Sequence, residues 1–100
     1  MKVGILCALE QELAPFLERM GESRATEKAM LRFFTGNIGQ AAAAAVCCGV
    51  GKVNAAVAAQ LLIDFCGADI IINAGTSGGM DESVRLFDTV ISERIAYHDI

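Results

Sequence analysis

The chain has 100 residues, enough for one small domain and too few for two. Its formal charge of −4 and isoelectric point near 4.8 exclude the basic face that a nucleic acid or an anionic membrane would require. Hydrophobic residues make up 54% of the chain and glycine adds ten more, above the ~45–50% of ordinary soluble domains on a definition that counts glycine. A small domain should be the more polar one. The excess is therefore expected to be covered by further chain or by a partner subunit, and the sequence reads as truncated.

The opening run Met1-Lys2-Val3-Gly4-Ile5-Leu6-Cys7-Ala8-Leu9 meets Glu10 at once. It is too short for a signal h-region with its cleavage site and far too short to span a bilayer, so the expected location is the cytoplasm, with no membrane partner. Cys7, Cys47, Cys48 and Cys66 show no C-x-x-C spacing, and the lone His98 completes no ligand cluster. Each cysteine sits in an apolar run, where a reduced thiol packs as a small hydrophobe. No metal site is expected.

Residues 2–9 are nearly all aliphatic, the pattern of a strand buried on both faces. Leu9, Leu13, Phe16, Leu17 and Met20 then share one helical face, and Gly21 ends it. Pro15 is tolerated in a first turn, so the regular helix is expected from near Ala14, with Glu10 to Leu13 as a turn. Residues 29–38 read as a strand ended by Gly39. Ala41–Val46 is alanine-rich and so inclined to helix, but it runs into Cys47-Cys48-Gly49-Val50-Gly51 and is assigned as a strand. Val53, Ala56, Val57, Gln60 and Leu61 support a helix from Lys52 to Cys66, capped by Gly67. Asp69–Ala74 and Phe87–Ile95 are two further strands. Strands joined by helical crossovers predict an α/β sheet with helices packed on it.

Two glycine-rich turns follow apolar strands, where α/β sheets bind ligands. Gly49-Val50-Gly51-Lys52 is not a phosphate-binding P-loop, because Val46 and Val53 stand where its first glycine and its hydroxyl residue belong. It also fails the dinucleotide fingerprint, with Asn54 at the third glycine position. Gly75-Thr76-Ser77-Gly78-Gly79 matches G-x-S-x-G letter for letter. A nucleophile elbow needs a helix starting at the serine, and here glycines and the polar Met80-Asp81-Glu82-Ser83 follow. A backbone cradle that lets the main chain approach a ligand is the better reading. Glu10-Gln11-Glu12, just past the first strand, offers either a general base or a solvated first-turn carboxylate favoured by the helix dipole.

Four elements lie in one register: Met1–Leu13, Gly49-Val50-Gly51-Lys52-Val53, Ile71 to Gly79, and Ser92 to Asp99 with Tyr97-His98-Asp99. Together they resemble the methylthioadenosine/S-adenosylhomocysteine nucleosidases. The resemblance implies an α/β/α sandwich with a central mixed sheet, of which residues 1–100 would be the N-terminal part of a single nucleoside-hydrolase domain. It implies a homodimer without a cofactor, which hydrolyses the N-glycosidic bond of methylthioadenosine or S-adenosylhomocysteine, releasing adenine in methionine salvage. By position, Glu12 resembles the carboxylate that activates the attacking water. Leu9 falls near the ribose and water, Val50 in the apolar pocket, and Thr76, Ser77 and Gly78 beside the ribose and base. The sequence departs from the family at Gln11, commonly glutamate, Thr76, commonly serine, Ser77, commonly alanine, and Phe87, commonly glycine. The family's general acid and its ribose-holding glutamate match nothing in this sequence, so the chain alone is expected to be inactive.

Such chemistry is consistent with carboxylates alone, since departure of adenine leaves an oxocarbenium-like sugar. A phosphorylase of the same fold is the rival reading. Those relatives carry an arginine two positions before the glycine loop, and here that position is Asn73. A non-catalytic nucleoside-binding fragment is the second rival, and aminofutalosine-type nucleosides remain an alternative substrate.

Overall fold

The computed structural model describes residues 1–97. Its elements are β1 (Lys2–Cys7), α1 (Glu10–Met20), β2 (Ser23–Lys28), β3 (Leu31–Ile38), β4 (Ala41–Cys47), α2 (Lys52–Asp64) and β5 (Ile70–Asn73). The strands form one sheet in the order β2-β3-β4-β1-β5. β1 runs parallel to both its neighbours, β4 and β5, while β2, β3 and β4 are successively antiparallel. The sheet is mixed, as expected.

Successive side chains of a strand point to opposite faces, and this alternation builds two separate cores. Leu6, Phe33, Ala44 and Val46 face α2 and pack with Ala58 and Leu62. Ile5, Cys7, Ala43 and Ala45 face the other way and pack with Leu13 and Met20 of α1. The result is three layers, α1 on one face and α2 on the other, with the alanine-rich β4 buried between them. Alanine suits that position because short side chains let both helices approach the sheet. Gly4 extends the same device, since a Cβ there would lie 3.1 Å from that of Ala68 and 3.3 Å from Leu62 Cδ1.

Four expectations need correction. α1 begins at Glu10, not near Ala14, and carries Pro15 inside it. Its first turn is fixed by the amides of Glu12 and Leu13, which donate to the Leu9 carbonyl at 3.1 and 3.2 Å. Gln11, whose carbonyl loses its donor to Pro15, lies with the proline on the exposed side, where water can replace that bond. The strand expected over 29–38 begins at Leu31, and the preceding β2 had no counterpart in the sequence reading. Ala29 and Met30, with φ of 52° and 66°, form the hairpin turn between them. The face of α2 is rotated: Val53 and Val57 are exposed, and the stripe that packs on the sheet holds Ala55, Ala58, Ala59 and Leu62. An apolar helix without a polar side is oriented by closeness of fit, and alanines fit closer than valines. The strand expected over Phe87–Ile95 does not form in this structure. Phe87 has φ of 70°, outside the extended region, and no described strand pairs with this segment.

Candidate active site

β1, β4 and β5 run parallel, so their carboxyl ends open on one edge of the sheet. From β1 the chain leads to α1 on one face, and from β4 to α2 on the other. A crevice between such diverging connections is where open α/β sheets hold ligands. All three glycine or carboxylate motifs of the sequence arrive there. Glu12 follows β1, the Gly49-Val50-Gly51 turn follows β4, and the Gly75–Gly79 loop follows β5. β5 stays joined to β1 one residue past its own end, where the Ala74 amide donates to the Leu6 carbonyl at 3.0 Å.

Glu12 is the centre of the arrangement. One carboxylate oxygen, Oε1, accepts the Leu9 amide at 3.0 Å, which caps the start of α1. The other, Oε2, accepts both the amide and the hydroxyl of Thr76, each at 2.8 Å. These donors favour the ionised form. The Thr76 amide and then its hydroxyl, with smaller help from the backbone of Leu9 and Ala8, hold the Glu12 carboxyl below its ordinary value. Glu10, two residues earlier, takes no part. It borders a different groove of about 650 Å³ between α1 and the β2–β3 hairpin, together with Leu13, Leu17, Met30 and Phe34.

Nearby thiols carry the opposite shift. Burial, and next the Glu12 carboxylate, push Cys7 up to about 11, and burial raises Cys48 in the same direction. Both stay neutral at ordinary pH, so neither thiol adds a charge beside the Glu12 carboxylate. Among the described residues no group of three His, Cys, Asp or Glu is arranged to hold a metal ion.

The remaining sequence-selected residues are placed as follows. Leu9 is the N-cap of α1, 38% exposed, and touches Glu12 through its backbone. Val50 stands out from its turn, 71% exposed. Asn54 holds that turn, its side-chain amide donating to the Val50 carbonyl at 2.8 Å. In the sequence Asn54 marks only the missing third glycine of a dinucleotide fingerprint. Ser77 and Gly78 line a second, open groove of about 920 Å³, floored by the loop and bordered by Val84, Phe87 and Val90. No helix follows Ser77, which removes the nucleophile-elbow reading. The structure thus joins Glu12, Leu9 and Thr76 by hydrogen bonds and brings Val50, Ser77 and Gly78 to the same edge of the sheet. His98 and Asp99 lie outside the described residues.

A water held by such a carboxylate can be turned towards an electron-poor carbon, and a fixed negative charge stabilises a cationic sugar beside it. Comparison with known proteins gives the chain its relatives. A 5'-methylthioadenosine/S-adenosylhomocysteine nucleosidase of Colwellia psychrerythraea is 38% identical over 100 residues, the whole of this chain and 41% of that protein. One of Treponema pallidum is 42% identical over 100 residues, again the whole chain and 37% of the relative. This chain therefore spans about two fifths of the length of the curated relatives it matches. The crystal structure of the Colwellia nucleosidase with adenine superposes with a TM-score of 0.82 at 38% identity, over 85% of this chain and 35% of that one. The Streptococcus pneumoniae nucleosidase with a transition-state inhibitor gives 0.81 at 29% identity, over 85% and 37%. The resemblance drawn from the sequence and the α/β/α architecture are both supported. The phosphorylase superfamily profile matches residues 2–100, and this chain belongs to that superfamily.

Proposed function

We propose that residues 1–100 are the N-terminal part of a nucleoside-hydrolase domain that cleaves the N-glycosidic bond of 5'-methylthioadenosine and S-adenosylhomocysteine with water, releasing adenine. The observation that carries this reading is the Glu12 carboxylate, held ionised at the carboxyl ends of β1 and β5 by the glycine loop. Glu12 orients and activates the water, while Leu9, Val50, Thr76, Ser77 and Gly78 form this chain's share of the nucleoside crevice. Departure of the base leaves positive charge on the sugar, which the carboxylate offsets as the water adds. The proposed enzyme works in the cytoplasm, in methionine salvage, as a homodimer; among the described residues no helix is long and apolar enough to cross a membrane.

Asn73, the last residue of β5, supports water over phosphate as the nucleophile, because a neutral amide does not offset phosphate charge. The test is adenine release by the full gene product from methylthioadenosine, with and without phosphate. Hydrolysis to free thioribose in both is expected, and a sugar 1-phosphate overturns the assignment. Glu12→Gln keeps size and hydrogen bonding but removes the base, so kcat should fall ~10²–10⁴-fold. Glu10→Gln, on the other groove, should stay within about threefold of wild type, as for a surface change away from the chemistry.

A further inference from the structure

The glycine at position 75 has a reason in space and none in backbone conformation. Gly75 is absent from the residues with positive φ, so any residue could adopt its backbone. What excludes a side chain is Glu12. A Cβ on Gly75 would lie 2.9 Å from Oε2, 3.2 Å from the carboxyl carbon and 3.2 Å from Oε1. Its three nearest atoms all belong to one carboxylate. Gly78, in the same loop, would meet nothing within 4 Å. The close approach that the sequence assigned to a ligand is taken up, at Gly75, by the protein's own carboxylate.

Thr76 completes the arrangement with two donors on the same oxygen, from a position 64 residues away in the chain. A glutamate at the third position of a helix commonly turns back to cap it, and the Leu9 contact does only that. Thr76 has no capping role for α1. We propose that Gly75 and Thr76 are positioning residues for Glu12: Gly75 admits the carboxylate against the loop, and Thr76 fixes it there as an anion. The inference rests on Glu12 being the water-activating group. Thr76 then acts on catalysis through Glu12, and its hydroxyl proton is committed to Oε2.

The thiols that feel the Glu12 charge are Cys7 of β1 and Cys48 after β4, both neutral in the acid range; Cys47 packs beside Cys7 with its thiol donating to the Ala8 carbonyl, and Glu10 on the same helix borders the other groove. The part of an acid limb that moves when Thr76 is changed therefore reports Glu12 against its own donors. The experiment is the pH dependence of kcat and kcat/KM of the full gene product for wild type, Thr76→Val, Thr76→Ser, Gly75→Ala and Glu12→Gln. Valine keeps the shape and the amide but loses the hydroxyl. The acid limb should move up by about one pH unit and kcat should fall about tenfold, with KM changed less than about threefold. Thr76→Ser should restore both. Gly75→Ala, which displaces the carboxylate, should lower kcat about 10²-fold.

If Thr76→Val leaves the limb in place and raises KM instead, Thr76 acts on the ligand alone and the positioning role is wrong. An unimpaired Gly75→Ala would likewise sink it. Either result with an inactive Glu12→Gln removes this inference alone, whereas an active Glu12→Gln removes the reading of Glu12 beneath it. Titration of the ¹³C-labelled Glu12 carboxyl by NMR gives the same comparison without turnover.

Discussion

Residues 2–74 and residues 75–97 both carry large apolar side chains, yet the first segment buries a core of them and the second buries none. Phe33, Val46 and Leu62 are fully buried, whereas Phe87, Ile91 and Ile95 are 94%, 90% and 83% exposed. The first segment has regular strands and helices that cover each other. In the second, short local bonds do the work: Asp81 accepts the amide and hydroxyl of Ser83 at 2.8 and 2.7 Å, and Asp88 accepts the Arg85 amide at 2.8 Å. Apolar character alone does not bury a segment; a strand needs a partner for its backbone and a layer for its side chains. The glycine loop, at the junction of the two regions, is tied to the ordered one through Glu12.

The sharpest way to break this contrast is in the core. Phe33 is fully buried and meets the Phe65 ring edge-on at 5.8 Å between centroids. Phe33→Ala should cost about 3–5 kcal/mol in a denaturant titration. Next comes a site where mass is added. A Cβ at Gly36 would lie 2.8 Å from both the Glu22 carbonyl and Met20 Cγ, so Gly36→Ala forces the end of α1 off the sheet and should cost about 1–3 kcal/mol. A smaller effect is expected at acid pH. Glu12's folded value lies below its ordinary 4.5, so its contribution is present above that pH and is lost as pH falls through the depressed value. Melting temperature followed downwards from about pH 6 should fall more for wild type than for Glu12→Gln, whose side chain does not titrate; equal slopes would separate the loop from the stability of the ordered region. The least effect should come from the second segment. Leu86→Ala, at a position 84% exposed, should stay within about 0.5 kcal/mol. A cost like that of Phe33→Ala would erase the distinction.

The parts legible in the sequence were those with a repeating signal. β1, β4 and β5 appeared as apolar runs, and the inner face of α1 as Leu13, Phe16, Leu17 and Met20 at helical spacing. β2 was silent because Ser-Arg-Ala-Thr-Glu-Lys is exposed along its whole length and buries nothing. Its turn was silent too. Two successive positive φ angles ask for Asn-Gly or a similar pair, and here Ala29 and Met30 adopt them. Phe87 teaches the converse, for it stands where the resembled family commonly has glycine and its φ of 70° is one that glycine adopts freely. At the site, Glu12 was selected by likeness to a family. The link from Thr76 to Glu12 has no periodic trace in the sequence, because it depends on two strands meeting in space.

That link also bears on the order in which the molecule assembles. Glu12 and Thr76 are 64 residues apart, and they meet only when β5 has docked on β1, itself flanked on its other edge by β4. The β2–β3 and β3–β4 pairings join chain neighbours and close short loops, whereas the parallel pairings of β1 must enclose long ones before any contact rewards them. Until the β1–β5 pairing exists, Glu12 lacks Thr76's two donors and is an ordinary helix-start carboxylate. In refolding, the hairpin amides should gain protection from hydrogen exchange before the Thr76 amide does, so that the site is the last part of the sheet to acquire its chemistry.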